Sequence, residues 1–241
     1  MQTTAVGHIL IFADIPFTGL CLEDLLCPEQ GLKRISTINA EGIVWYHEHA
    51  LFREAVRTSM ACIDGQIPYW LARWRYKEMS FEKLSGSDLI YHFAALARDQ
   101  GLRMFLLGAS PEANRLSCLR LRSRYGIPIE GYAPPFHPYP FPDQVDEEIL
   151  NRVRAFRPDI LLVAFGMPKQ ELWLYAHHDE LEAIGVRWAI GVGGTLDFVS
   201  GRERRAPRWV QQMGLEFLWR LLQRPARWRR VWRALRLFRY L

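Results

Sequence analysis

The chain has 241 residues, 49% of them hydrophobic, enough to bury a full core in one large domain with or without an appendage. Its first twenty residues lack the basic start, apolar run and small-residue cleavage site of a secretory leader, and no apolar stretch reaches about 18 residues, so neither export by that route nor a membrane span is expected. The net charge of +5 is uneven: residues 202–241 hold twelve arginines against Glu203 and Glu216, a local +10 that leaves about −5 for the remainder.

In chain order, short apolar runs at 6–12, 34–39, 103–108, 159–165 and 187–191 read as buried strands. Amphipathic stretches near 48–60, 87–100, 111–125, 143–156 and 169–184 alternate with them, the pattern of a doubly wound α/β domain with a mostly parallel sheet. The segment 127–143 carries six prolines and reads as an irregular connector, with Asp143 capping the helix that follows. From residue 202 the composition changes, and Pro207 and Pro225 mark the starts of two helices, so the chain divides into an α/β domain over 1–201 and a basic appendage over 202–241.

On a helical wheel Trp228, Val231, Trp232, Leu235 and Phe238 share one face, with Arg229, Arg230, Arg233 and Arg236 gathered opposite. Two readings fit: a helix packed on its own core with a solvated basic face, or one lying in a membrane interface. Tryptophan at the apolar edge and arginine nearly without acids favour an anionic bilayer. Nucleic acid is the rival polyanion, opposed by the lack of zinc-finger spacing or an RNA-recognition aromatic motif.

The cysteines, Cys21, Cys27, Cys62 and Cys118, have no paired metal-ligand spacing and read as reduced and mostly buried. The pairs His47/His49 and His177/His178 do not share a helix face as zinc ligands do, so no metal site is expected. Ligands of an open parallel sheet bind beyond the carboxyl ends of its strands. That points to STINAE, to CIDG, to LLGAS, to FGMPKQE and to IGVGGTLDF. Candidate ligand contacts there and at SGSDL are Gly86, Asp88, Gly108, Gly166, Lys169, Glu171, Gly193, Gly194, Thr195 and Asp197. Glycine turns let backbone N–H groups approach a diphosphate, although GVGG alone equally serves a tight connection. Asp64 reads either as an Asx-turn or cap, or as a carboxylate aimed into the cleft where it can act as a base; Asp88 is similarly divided between capping and ligand contact. No G-x-G-x-x-G closes a first strand, which weakens a dinucleotide-dependent oxidoreductase; a non-catalytic module binding anionic membranes is the other rival.

Taken together, TINAE, IDG, SGSDL, FLLGA, GMPKQE, GVGGTLDFVSG, RAPRW and GLEFLWRLLQRP, in that order across residues 37–225, resemble the WecG/TagA/CpsF glycosyltransferases, glycosyltransferase family 26. The resemblance implies a Rossmann-like core and inverting transfer of a sugar, usually from a UDP-sugar, to a polyprenyl-diphosphate-linked saccharide at the inner face of the cell membrane during surface-polysaccharide assembly. It implies Asp64 as general base, Thr37, Asn39 and Gln170 lining the sugar pocket, and Arg220, Arg227 and Arg230 near the acceptor diphosphate, with Arg205 and Arg208 of RAPRW added to that basic set. No cofactor or metal is expected, and no nucleic-acid partner. Lys83, where an arginine often precedes GSDL, and Ile63 before Asp-Gly depart from the family pattern. The donor sugar, the acceptor glycan and the choice between monomer and homo-oligomer stay open.

Overall fold

A computed structural model of the chain describes residues 9–207, 209–210, 213–223 and 228–241, with only the backbone of Phe217, Arg220, Arg229 and Arg230. Strands β1 (Leu10–Phe12) and β2 (Ile15–Phe17) form a hairpin, and helix α1 (Leu22–Leu26) leads into the first strand of the main sheet, β3 (Lys33–Ile38). Then come α2 (Ala40–Glu48), α3 (Ala50–Arg57), β4 (Met60–Ile63), α4 (Gln66–Arg75), α5 (Gly86–Gln100), β5 (Met104–Gly108) and α6 (Pro111–Tyr125). The second half holds β6 (Ile129–Tyr132), α7 (Asp143–Phe156), β7 (Ile160–Ala164), α8 (Lys169–Ala176), α9 (His178–Ile184), β8 (Trp188–Gly191) and α10 (Thr195–Val199). Helices α11 (Glu216–Gln223) and α12 (Trp228–Leu235), with a 3-10 turn over Arg236–Arg239, form the tail.

The six strands of the main sheet are all parallel, in the order β4-β3-β8-β7-β5-β6, and the fold is Rossmann-like α/β. Alternate strand residues serve opposite faces: Leu106, Leu162 and Ile190 pack with α5, α6 and α10, while Leu107, Val163 and Ala189 pack with α7, α8 and α9. Because both faces are covered, β5, β7 and β8 read as continuous apolar runs rather than alternating ones. The hairpin, α2, α3 and one side of α4 form a third cluster around Ile38 and Ile63.

Several expectations are corrected. Leu10–Phe12 is a strand, but it pairs antiparallel with Ile15–Phe17 through a turn whose central residues Ala13 and Asp14 both have positive φ, so it stays outside the parallel sheet; residues 6–8 lie outside the described set. The proline-rich segment contains β6, an edge strand that proline spares because Ile129–Tyr132 has none. The stretch 169–184 is two helices broken at His177, and Asp143 is the first helical residue, preceded by Pro142, rather than the cap. Cys62 and Cys118 are buried, whereas Cys27 is exposed.

The tail lies across α2. Arg233 Nη1 donates to Glu41 Oε1 at 2.8 Å, Arg236 pairs with Glu48, and the Tyr240 hydroxyl donates to the same Glu48 carboxylate at 2.8 Å. Tyr240 stacks on His47 with ring centroids 4.2 Å apart, and Leu237, 1% exposed, joins the hairpin cluster. The wheel is thus split: Arg233 and Arg236 reach acids of α2 with their side chains 35% and 43% exposed, while Trp228, Trp232 and Phe238 remain 51%, 65% and 61% exposed.

Candidate active site

All six parallel strands end on one side, and the chain leaves two neighbouring strands, β3 and β8, in opposite directions. From β3 it enters α2 on one face, and from β8 it enters α10 on the other. A crevice must open where those connections part. It is lined by Thr37 near the end of β3 and Asn39 just after it, Asp64 to Pro68 after β4, Gly166 and Met167 after β7, and Val192 to Thr195 after β8. Lys83, Ser85 to Ser87, Phe198, Arg205, Gly214 and Glu216 extend its wall, and Val231, Ala234, Leu235, Leu237 and Phe238 of the tail roof it.

Asp64 is held at the end of its strand by its own N–H, which donates to Ile38 O at 2.9 Å. Gly65, at φ +84, then turns the chain into α4 and is itself the residue before the helix, so Asp64 does not cap it. The starts of three helices, α2, α4 and α5, meet at the crevice through Asn39 to Glu41, Gly65 to Ile67 and Ser85 to Ser87. Each brings the positive end of a helix dipole. Lys83, whose Nζ donates to Gln66 Oε1 at 3.0 Å, and Arg205 add full charges. Arg205 grips Asp88 with two bonds of 2.5 and 2.8 Å, leaving its Nε buried without a partner among the described residues. Burial alone would raise the Asp88 carboxyl, but the Arg205 fork, helped by Lys83 and His92, more than offsets this and holds it below the usual carboxylate range.

Gln170 occupies the base of the crevice, 1% exposed. Its Oε1 accepts from the N–H of Gly166 at 3.1 Å and of Gly193 at 3.0 Å, and its Nε2 donates to Glu171 Oε1 at 2.8 Å. Glu171 lies behind it, 3% exposed, and burial pushes its carboxyl up to about 8. Thr37 Oγ1 donates to Gly191 O at 3.0 Å, and Asn39 Oδ1 accepts from Gly42 N–H at 3.0 Å, so each residue spends one polar atom on local structure while lining the crevice.

The structure therefore brings Thr37, Asn39, Asp64, Gly86, Gly166, Gln170, Gly193, Gly194, Thr195 and Arg205 together. It does not bring five others to the crevice wall. Asp88 is spent on Arg205, and Glu171 is behind Gln170. Lys169 donates to His137 O at 2.7 Å and sits over the Phe136 ring, holding the proline-rich segment. Gly108, at φ +95, faces Ala164 and Phe165, where a Cβ would come within 3.0 and 2.8 Å. Asp197, in the first turn of α10, accepts at its backbone O from Glu203 N–H. Arg208 and Arg227 lie outside the described residues, as do the side chains of Arg220 and Arg230.

Sequence reasoning missed Glu41, Gln66, Glu216 and the roof. Glu41 stands inside the TINAE segment, but Val231, Leu235 and Phe238 looked like lipid-facing residues, because a wheel cannot distinguish a bilayer from a crevice. Among the described residues no group of three or more histidine, cysteine or acidic side chains is arranged to hold a metal ion. Residues 15–241 match the model of a family described as "Glycosyl transferase WecG/TagA/CpsF family".

Proposed function

Since the chain belongs to the WecG/TagA/CpsF glycosyltransferase family and is a glycosyltransferase, we propose that it moves a sugar from a UDP-sugar to a polyprenyl-diphosphate-linked saccharide in surface-polysaccharide synthesis, with inversion and Asp64 as general base. The observation that carries this reading is the setting of Asp64, a carboxylate among three helix starts, Lys83 and Arg205. A sugar nucleotide needs positive potential for its diphosphate, and an acceptor hydroxyl needs a nearby base. The Asp64 carboxylate takes the hydroxyl proton as the acceptor oxygen bonds to the anomeric carbon from the face opposite the leaving group. The bond from that carbon to the diphosphate breaks, and its electron pair departs with UDP.

Helix starts, Lys83 and Arg205 are the groups we assign to the charge that grows on the leaving diphosphate. The membrane reading is supported by the exposed Trp228, Trp232 and Phe238 on the helix that roofs the crevice, beside which a lipid-borne acceptor would present its diphosphate. No helix among the described residues is long and apolar enough to cross a bilayer.

The test is Asp64→Asn, which keeps size and hydrogen bonding while removing the base. Turnover is expected to fall by about 10²-fold or more with UDP affinity kept within a few-fold. Near-normal turnover in Asp64→Asn would reject the assignment.

A further inference from the structure

Glu171 is an acid almost wholly removed from water, one residue from the crevice and absent from its wall. Its Oε1 accepts from Gln170 Nε2, and its Oε2 is buried without a partner among the described residues. The Gln170 amide is otherwise committed to Gly166 and Gly193, which belong to the turns after β7 and β8. One side chain therefore ties together two separate glycine turns of the crevice. For that tie the amide must present oxygen to the turns and nitrogen away from them, and an acceptor at Glu171 enforces this choice. Gly191 leaves room for the pair: a Cβ there would lie 2.5 Å from Gln170 Nε2 and 3.1 Å from Glu171 Oε1.

We propose that Glu171 is a positioning residue that acts through Gln170, fixing the amide that holds the turns after β7 and β8 in their ligand-ready form. Its importance for the donor rests on the function proposed above, whereas its hold on the two turns does not. Burial keeps the carboxyl protonated to about pH 8, with the Gln170 bond acting in the opposite sense and the charge of Glu41 adding to the rise. Glu41, on α2, is the charged group facing it, and is itself paired with Arg233 of α12; from β8 the Gly191 backbone approaches. The sign follows from the raised value. A group that holds its proton more tightly when folded stabilises the fold fully below its unfolded range near 4.5, and that contribution disappears as pH rises through about 8. Above that, a buried carboxylate with one unbonded oxygen disfavours the closed arrangement, so the tie between the turns loosens with alkali.

Glu171→Gln keeps an acceptor oxygen for Gln170 and cannot ionise; Glu171→Leu removes the acceptor. Hydrogen exchange at the Gly166 and Gly193 amides, thermal midpoints from pH 6 to 9, and UDP affinity by calorimetry over the same range read the effect on the full chain. We expect the wild-type midpoint to fall with alkali while that of Glu171→Gln stays level, and UDP binding to weaken about fivefold between pH 6.5 and 9 in the wild type alone. Glu171→Leu is expected to lose protection at both glycines by about tenfold or more while keeping its circular dichroism. Parallel pH profiles for wild type and Glu171→Gln, or intact Gly193 protection in Glu171→Leu, overturn the proposal. Absent UDP binding in every form, with the exchange and midpoint pattern intact, would instead defeat the donor assignment and leave the positioning role standing.

Discussion

Replacing Arg233 by alanine is expected to release the tail from the crevice. Its guanidinium bonds Glu41 at 2.8 Å and lies 4.5 Å above the Trp45 ring. Exposed ion pairs are worth up to about 1 kcal/mol, and hydrogen bonds to charged groups about 1.5–3 kcal/mol. The Arg233 side chain is 35% exposed against 13% for Glu41, which puts the pair between these limits after screening, at roughly 1–2 kcal/mol. The ring contact adds about 0.5 kcal/mol, so Arg233→Ala shifts the docked tail toward the free form by roughly tenfold to seventyfold. Glu41→Gln, which keeps an acceptor, costs less, and the double variant should show a coupling of about 1 kcal/mol. Chymotrypsin cleavage after Phe238 reads the released tail at a bond that does not include the substituted residue, and kcat/KM reads the lost roof. Additivity within about 0.3 kcal/mol, together with unchanged cleavage, would refute the claim that this pair seats the tail.

Two further outcomes separate roles that the sequence left mixed. Joint replacement of Trp228 and Trp232 by serine should weaken binding to phosphatidylglycerol vesicles by about tenfold while turnover on a short, water-soluble acceptor stays within threefold; unchanged vesicle binding would remove the membrane reading. Gly108→Ala should cost about 2–4 kcal/mol, because Gly108 has φ +95 and an added Cβ meets the Ala164 backbone at 3.0 Å, lowering the thermal midpoint by several degrees with specific activity of the folded enzyme unchanged. Lost donor binding at an unchanged midpoint would return Gly108 to the site.

What was legible in the sequence follows from how each element is stabilised. Strands β5, β7 and β8 are covered on both faces, so their apolar runs stood out, and α5 and α6 ended at Gly101 and Gly126, both in the left-handed region. Strands β4, Met60–Ile63, and β6 are the two edges of the sheet, and Glu130 and Gly131 of β6 are exposed. The crevice was legible where a lining residue closely follows a strand, as Asp64 and Gly193 do. It was not legible for Glu171 and Asp88, where helix phase and a distant partner decide which way the carboxylate points. Nor did the wheel reveal that α12 turns Arg233 toward the acids of α2, since that choice depends on a helix nearly two hundred residues away.

The seat of Leu237 carries a consequence for the order in which the enzyme matures. Its pocket is built by the hairpin and α2, among the first parts of the chain to leave the ribosome, yet its occupant is made long after the last sheet strand. The sheet, the glycine turns and Asp64 can all assemble while the crevice is still roofless. A growing chain therefore passes through a stage with Asp64 in place and the Leu237 seat of the hairpin cluster still unfilled. The tail that roofs the crevice is also the one that fills the Leu237 seat, so closing the crevice and completing the hairpin cluster are one docking event.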